Sequence, residues 1–213
     1  MADAGATRRV LQELRKRVLR GDLLPGEQLR QEQLALELDV SRVPIREALM
    51  VLANQGLLTH HPNQGFVVTK RTADELDQVN RLLDLLENEL LNTFRWPDRS
   101  TLMKLKNINT RMSRLVDADD WTDVVPLNHE FHKILWTLSS STLIAQETER
   151  VWGLADAYIS EGYRSTANRA GAVADHERII EAVQARDIDR LRAEHQAHRE
   201  ASHANATQRL AKT

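Results

Sequence analysis

Glycine and proline are spread unevenly along the 213 residues, and this limits the folds open to the chain. Eight of the thirteen fall within residues 1–71, and the following 142 residues hold only five. Both residues interrupt regular structure, so the first third must consist of short elements joined by tight turns and the rest of long, continuous ones. From Thr72 onward, apolar residues recur at helical spacing, which predicts helices near 73–95, 98–118, 121–138, 140–164, 168–185 and 187–209. Trp96-Pro97, Asp119-Asp120 and Arg186-Asp187 are the expected breaks. The fold class is therefore mainly α. A small module over 1–71 precedes an antiparallel helical bundle of about six or seven helices over 72–213.

Within the first module the signals are local. Residues 1–6 are small and polar, and no regular structure is expected there. Thr7 is a candidate N-cap for a helix carrying Val10, Leu11, Leu14 and Val18, which Gly21 ends. Leu24-Pro25-Gly26 reads as a turn. A second helix over about 31–38 turns Leu34, Ala35 and Leu38 to one side, and Asp39-Val40 makes a tight turn. Ser41 is the expected N-cap of a third helix, with Pro44 in its first turn, where the missing N–H does no harm. That helix stops at Gly56, and two extended runs, 57–61 and 66–69, flank the hairpin signal Pro62-Asn63-Gln64-Gly65.

Three helices and a two-stranded wing make a winged helix-turn-helix, an arrangement suited to duplex DNA. The second helix of the pair enters the major groove with its N-terminal residues at the base edges. Here those are Ser41, Arg42, Val43 and Arg46. Arg42 and Arg46 stand four apart and share a face, while Ala48, Leu49 and Leu52 face the core. A guanidinium can read guanine O6 and N7 with two hydrogen bonds, and the helix N-terminus favours a phosphate. Asn63 and Gly65 lie at the wing tip, where glycine allows close approach to the sugar–phosphate backbone. Arg30 either adds a phosphate contact or is a surface charge.

The stretch from Gly21-Asp22-Leu23-Leu24-Pro25-Gly26-Glu27-Gln28-Leu29, through Gln33-Leu34-Ala35 and Val40-Ser41-Arg42-Val43-Pro44-Ile45-Arg46-Glu47-Ala48-Leu49, to Leu52, Gly56-Leu57 and Asn63-Gln64-Gly65 resembles the GntR family of transcription regulators. The resemblance implies that Arg42, Arg46 and Gly65 contact operator DNA. It further implies a homodimer on a pseudo-palindromic operator, with repression the commoner outcome. Asp39 departs from the family, which often has glycine in that turn.

Charge is consistent with this division. Residues 1–71 carry a balance of +3 and residues 72–213 a balance of −5, so the polyanion partner belongs to the first module. Cysteine is absent, which excludes disulfides and thiolate ligands, so any metal site must use His, Asp, Glu or Asn. No membrane-length apolar run and no signal-type N-terminus occur, so a cytoplasmic location without membrane contact is expected.

The second half holds a further pattern. Asn128 and His132 are one helical turn apart. His176 and His198 stand at similar distances on either side of the Arg186-Asp187 break, so a hairpin brings them level. Three imidazoles and one amide oxygen can then converge inside the bundle as a first-row metal site, although histidines at such spacing are more often structural. His195 and His203 are either alternative ligands or surface residues, and Glu130 is a candidate for orienting a ligand. This half resembles the FadR C-terminal (FCD) domain, in which an Asp/Asn-x-x-x-His pair and two later histidines hold a metal. That resemblance implies a divalent ion, zinc or nickel, at Asn128, His132, His176 and His198, with a small organic acid effector beside it. Asn128 replaces the commoner aspartate and removes one negative charge. Arg81, Arg111, Arg114, Arg150, Arg164 and Arg169 are the candidate anchors for that acid. Trp121, Trp136, Trp152, Tyr158 and Tyr163 read as core or interface anchors. A metalloenzyme built on the same histidines would need a general base or nucleophile motif, and none is legible. An architectural DNA binder would need no buried polar cluster.

Overall fold

The computed structural model describes the backbone of residues 2–70 and 72–210, and their side chains except those of 2–4, 156–158, 161, 209 and 210. The chain divides into two compact units, residues 1–71 and 72–213.

The first unit holds α1 (Ala2–Arg20), β1 (Gln28–Leu29), α2 (Gln31–Glu37), α3 (Arg42–Asn54), β2 (Leu58–His61) and β3 (Gly65–Val68). Two expectations are corrected here. Helix α1 begins at Ala2, so residues 2–6 are helical and Thr7 is not its N-cap. Ala2, Ala4 and Ala6 are strong helix formers, and they extend the helix past the hydroxyl that would have capped it. The Thr7 hydroxyl instead donates to Glu47 at 2.7 Å. The wing is also three-stranded, in the order β1-β3-β2. Gln28 and Leu29 pair antiparallel with Val67 and Phe66. Two residues carry too short a pattern to be recognised as a strand without their partner.

Helices α1 and α2 both pack on α3, whose buried face is Pro44, Ile45, Ala48, Leu49 and Leu52. Gly21 and Gly56 end α1 and α3 in the left-handed region, at φ 76° and 73°. Asp39 adopts φ 50° in the turn before α3, a conformation that its short polar side chain tolerates.

The second unit consists of α4 (Ala73–Asn92), α5 (Arg99–Ser113), α6 (Val124–Thr137), α7 (Thr142–Gly162), α8 (Thr166–Ala185) and α9 (Ile188–Leu210). Helix α4 starts with a capping box: the Thr72 hydroxyl accepts from the Glu75 N–H, and the Glu75 carboxylate accepts from the Thr72 N–H. Helix α7 packs on α4, α6 and α9, and α8 packs on α5 and α9. Arg186 ends α8 in the left-handed region, and the Asp187 side chain then caps α9 by accepting from the Arg190 N–H at 2.9 Å.

The inner face of α9 is unusual. Its buried positions include His195, His198 and Arg199 alongside Leu191 and Ala206. A helix that turns imidazoles and a guanidinium inward does not merely complete a core; it lines a polar site.

Candidate nucleic-acid interface and metal centre

At the start of α3 the backbone period of 3.6 separates two faces. Pro44, Ile45, Ala48 and Leu49 are buried, whereas Ser41, Arg42, Val43, Arg46 and Met50 are exposed. Both predicted arginines therefore face solvent on one side of the helix. Arg42 forms an ion pair with Glu32, near the start of α2, and both side chains are well exposed. Ser41 occupies the N-cap position, but its side chain makes no capping hydrogen bond. The expected cap is thus absent, and the hydroxyl is left available at the helix N-terminus. Arg30 occupies the N-cap position of α2 and is exposed. At the wing tip, Asn63 and Gly65 have φ 67° and 80°. A Cβ added at Gly65 would meet nothing within 4 Å, so backbone conformation rather than space calls for glycine there.

In the helical unit, α6 brings His132, α8 brings His176 and α9 brings His198 into one buried cluster, and Asn128 is buried on α6 one turn before His132. One ligand atom from each of the three histidines lies within 4.8 Å of the others. The Nε2 atoms of His132 and His198 are 3.1 Å apart. The ring of His176 stacks on Phe131 at a centroid distance of 3.8 Å. Asp175 Oδ2 lies 3.0 Å from His198 Nδ1, which turns His198 Nε2 toward His132. Burial raises the Asp175 carboxyl, but hydrogen bonds to His198 and Arg178 outweigh this and hold it below its ordinary value.

Burial, then the neighbouring imidazoles, pushes His132 and His176 well below the ordinary imidazole range. Both are therefore neutral and present lone pairs, the form a metal requires. The Asn128 Oδ1, the His132 Nδ1 and both His176 nitrogens are buried without a hydrogen-bond partner. Several unpartnered buried polar atoms within one unit are costly unless something joins them. The donor set of three imidazoles and an amide oxygen suits a first-row divalent ion.

Two polar groups beside the cluster, Asp175 and Glu87, are not expected from the sequence. Asp175 orients His198. His195, left open between ligand and surface, is buried, and burial followed by the Arg199 charge lowers it to about 3. Glu87 of α4 is buried, accepts from the Trp136 indole N–H at 2.9 Å and lies 3.8 Å from His195 Nε2. Burial raises the Glu87 carboxyl to about 7 against the lowering effects of Arg199 and Trp136. A charged residue on a helix face otherwise rich in leucine was the available signal for Glu87.

The expected acid-anchoring arginines fare differently. Arg81 and Arg114 are exposed, Arg111 lies 3.8 Å from Glu130, and Arg150 pairs with Glu147. Glu130 is exposed on α6, beside Arg111. Arg169 is buried, but its guanidinium donates to the carbonyls of Val116, Tyr163 and Arg164 and to the Thr166 hydroxyl. It therefore ties together chain segments rather than facing a cavity. Arg199, absent from the expected set, is the buried arginine beside the cluster. His203 pairs with Asp77 at 2.8 Å, away from the triad. Trp121, Trp136, Trp152 and Tyr163 are buried as anchors, and the Tyr158 side chain lies outside the described residues.

Comparison with known proteins agrees with this geometry. Residues 6–68 match the model of the gntR family of bacterial regulatory proteins, and residues 81–201 match that of the FCD domain. The HTH-type transcriptional regulator YdhC of Bacillus subtilis is 27% identical over 189 residues, covering 87% of this chain and 84% of that protein. The gluconate operon transcriptional repressor of Bacillus licheniformis is 29% identical over 140 residues, covering 60% and 58%. The solved structure of E. coli McbR/YncC shares the fold, with a TM-score of 0.73 at 22% identity over 95% of this chain and 97% of that one. No helix among the described residues is long and apolar enough to cross a membrane. The chain thus belongs to the GntR family, joining a gntR-type DNA-binding domain to an FCD domain, and it is a transcriptional regulator rather than an enzyme.

Proposed function

We propose that the protein is a ligand-responsive repressor that binds a pseudo-palindromic operator as a cytoplasmic homodimer. Residues 1–71 form the DNA-binding domain, and residues 72–213 form the effector-binding and dimerisation domain. The observation that carries this reading is the exposed face of α3, where Arg42, Val43 and Arg46 stand free of the core. Arg46 and Arg42 read base edges in the major groove, and Val43 lies where it can meet a thymine methyl. Ser41, Arg30, Asn63 and Gly65 contact phosphate and sugar, which fixes register without reading sequence. Two-fold symmetry presents one α3 to each half-site. Leu82 and Leu85, 42% and 71% exposed on one side of α4, support a partner subunit over that helix.

Asn128, His132, His176 and His198 would hold a divalent ion, zinc or nickel. When bound, the ion supplies a positive, Lewis-acidic point for the carboxylate of a small organic acid. The chain's own residues define the surroundings: Phe131 and Trp152 exclude water beside the imidazoles, and Asp175 fixes the tautomer of His198. An effector changes DNA affinity only if it binds one arrangement of the dimer better than another.

The test is fluorescence anisotropy with DNA flanking the protein's own gene, across a salt series and with added metal and organic acids. A specific regulator keeps a preference for one sequence at moderate salt. Sequence-independent binding that vanishes with salt would refute the reading.

A further inference from the structure

Among the described residues a second group of buried ligand atoms adjoins the histidine triad. Glu87 of α4, His132 of α6 and His195 of α9 each place one ligand atom within 4.8 Å of the other two. All three are buried, at 2%, 0% and 4% exposure. The Glu87 Oε2 and the His132 Nδ1 make no hydrogen bond. Metal ligands with bonds of ~2.1 Å at tetrahedral angles lie ~3.4 Å apart. The separation of 3.8 Å between Glu87 Oε1 and His195 Nε2 lies close to that spacing.

We propose that Glu87, His132 and His195 form a second cation position, which shares His132 with the His132/His176/His198 position and takes harder divalent ions of the Mn2+ and Fe2+ kind. Two imidazoles and one carboxylate are a harder donor set than three imidazoles and an amide. The carboxylate also restores the negative charge that Asn128 lacks. A neutral imidazole offers one free lone pair, so His132 serves one position at a time and a chain holds one ion. Arg199 is the built-in competitor: its Nε lies 3.3 Å from Glu87 Oε2, and its Nη1 pairs with Asp84. An ion at Glu87 displaces that guanidinium, which keeps Asp84 as its partner. The choice of ion is thereby coupled to the position of α9 against α4, two helices in direct contact.

Equilibrium dialysis of the full chain against Mn2+ or Zn2+, with metal content read by mass spectrometry, tests this. Wild type should bind one ion of either kind per chain, and one in total when both are supplied. His176→Ala should weaken Zn2+ binding by removing one imidazole and still take one Mn2+ with unchanged affinity. Glu87→Gln and His195→Gln should keep Zn2+ and lose Mn2+ affinity by ~10-fold or more. Two ions per chain in the mixture would overturn the sharing of His132. Mn2+ affinity unaltered by Glu87→Gln would overturn the second position. Loss of both ions in all three variants would mark a single merged site and overturn it equally. Glu87→Gln preserves side-chain shape and can still accept from Trp136, so its result decides the matter even if His176→Ala fails to fold.

Discussion

Removing the two recognition arginines one at a time should give unequal losses. Arg46 stands free on α3, while Arg42 is engaged by Glu32 and must leave that carboxylate to reach DNA. A bidentate contact to guanine is worth about 1–3 kcal/mol, so Arg46→Ala should weaken each half-site by ~5- to 150-fold. The side chains of Arg42 and Glu32 are 64% and 75% exposed, which places their pair in the weak, screened class. Breaking such a pair costs ~0.2–1 kcal/mol, so the loss for Arg42→Ala should be smaller than for Arg46→Ala by ~1.4- to 5-fold. Glu32→Gln should abolish the difference and tighten operator binding, because it frees Arg42 and removes a negative charge near phosphate. Anisotropy on one operator fragment at several salt concentrations measures all three variants, and circular dichroism checks that the fold is kept. The reasoning fails if Arg46→Ala binds within twofold of wild type. It also fails if Glu32→Gln weakens binding.

The helical unit yields further expectations. Asp175→Asn should lower Zn2+ affinity ~10- to 100-fold by releasing His198, as read by competition with a chromogenic chelator; no change would remove Asp175 from the site. Arg169→Met should destabilise the fold by ~2–4 kcal/mol, because the carbonyls of Val116, Tyr163 and Arg164 lose a charged donor; urea denaturation measures it. In metal-free protein, stability should rise from pH 5 to 6.5. His132, His176 and His195 stay neutral when folded but take up protons when unfolded below their ordinary value of 6.5, so acid favours the unfolded chain. Glu87 acts oppositely between 4.5 and about 7, since its folded form holds the proton longer, but one carboxyl faces three imidazoles. A urea midpoint that falls over that range would refute the assignment. Leu85→Glu should shift the sedimentation coefficient toward monomer, and an unchanged value would place the subunit contact elsewhere.

Much of this protein can be read from local patterns. Glycine and proline positions mark the turns around α2 and α3, and the 3.6-residue period sorts Arg42 and Arg46 from Ala48 and Leu49. The break at Arg186-Asp187 sets His176 level with His198. Each of these signals lies within about one helical turn or one hairpin, where backbone geometry alone decides which side chains are neighbours. The second strand pairing of β3, the inward turn of His195 and the meeting of Glu87 with His132 are different. They depend on which helices pack together and on how far each is rotated. An apolar stripe usually reveals that rotation, but α9 carries His195, His198 and Arg199 where leucines would stand. With no apolar stripe to orient it, the helix shows its buried face only once α4, α7 and α8 are packed around it, because the contacts that tolerate polar groups there come from residues some 20 to 110 positions away in sequence.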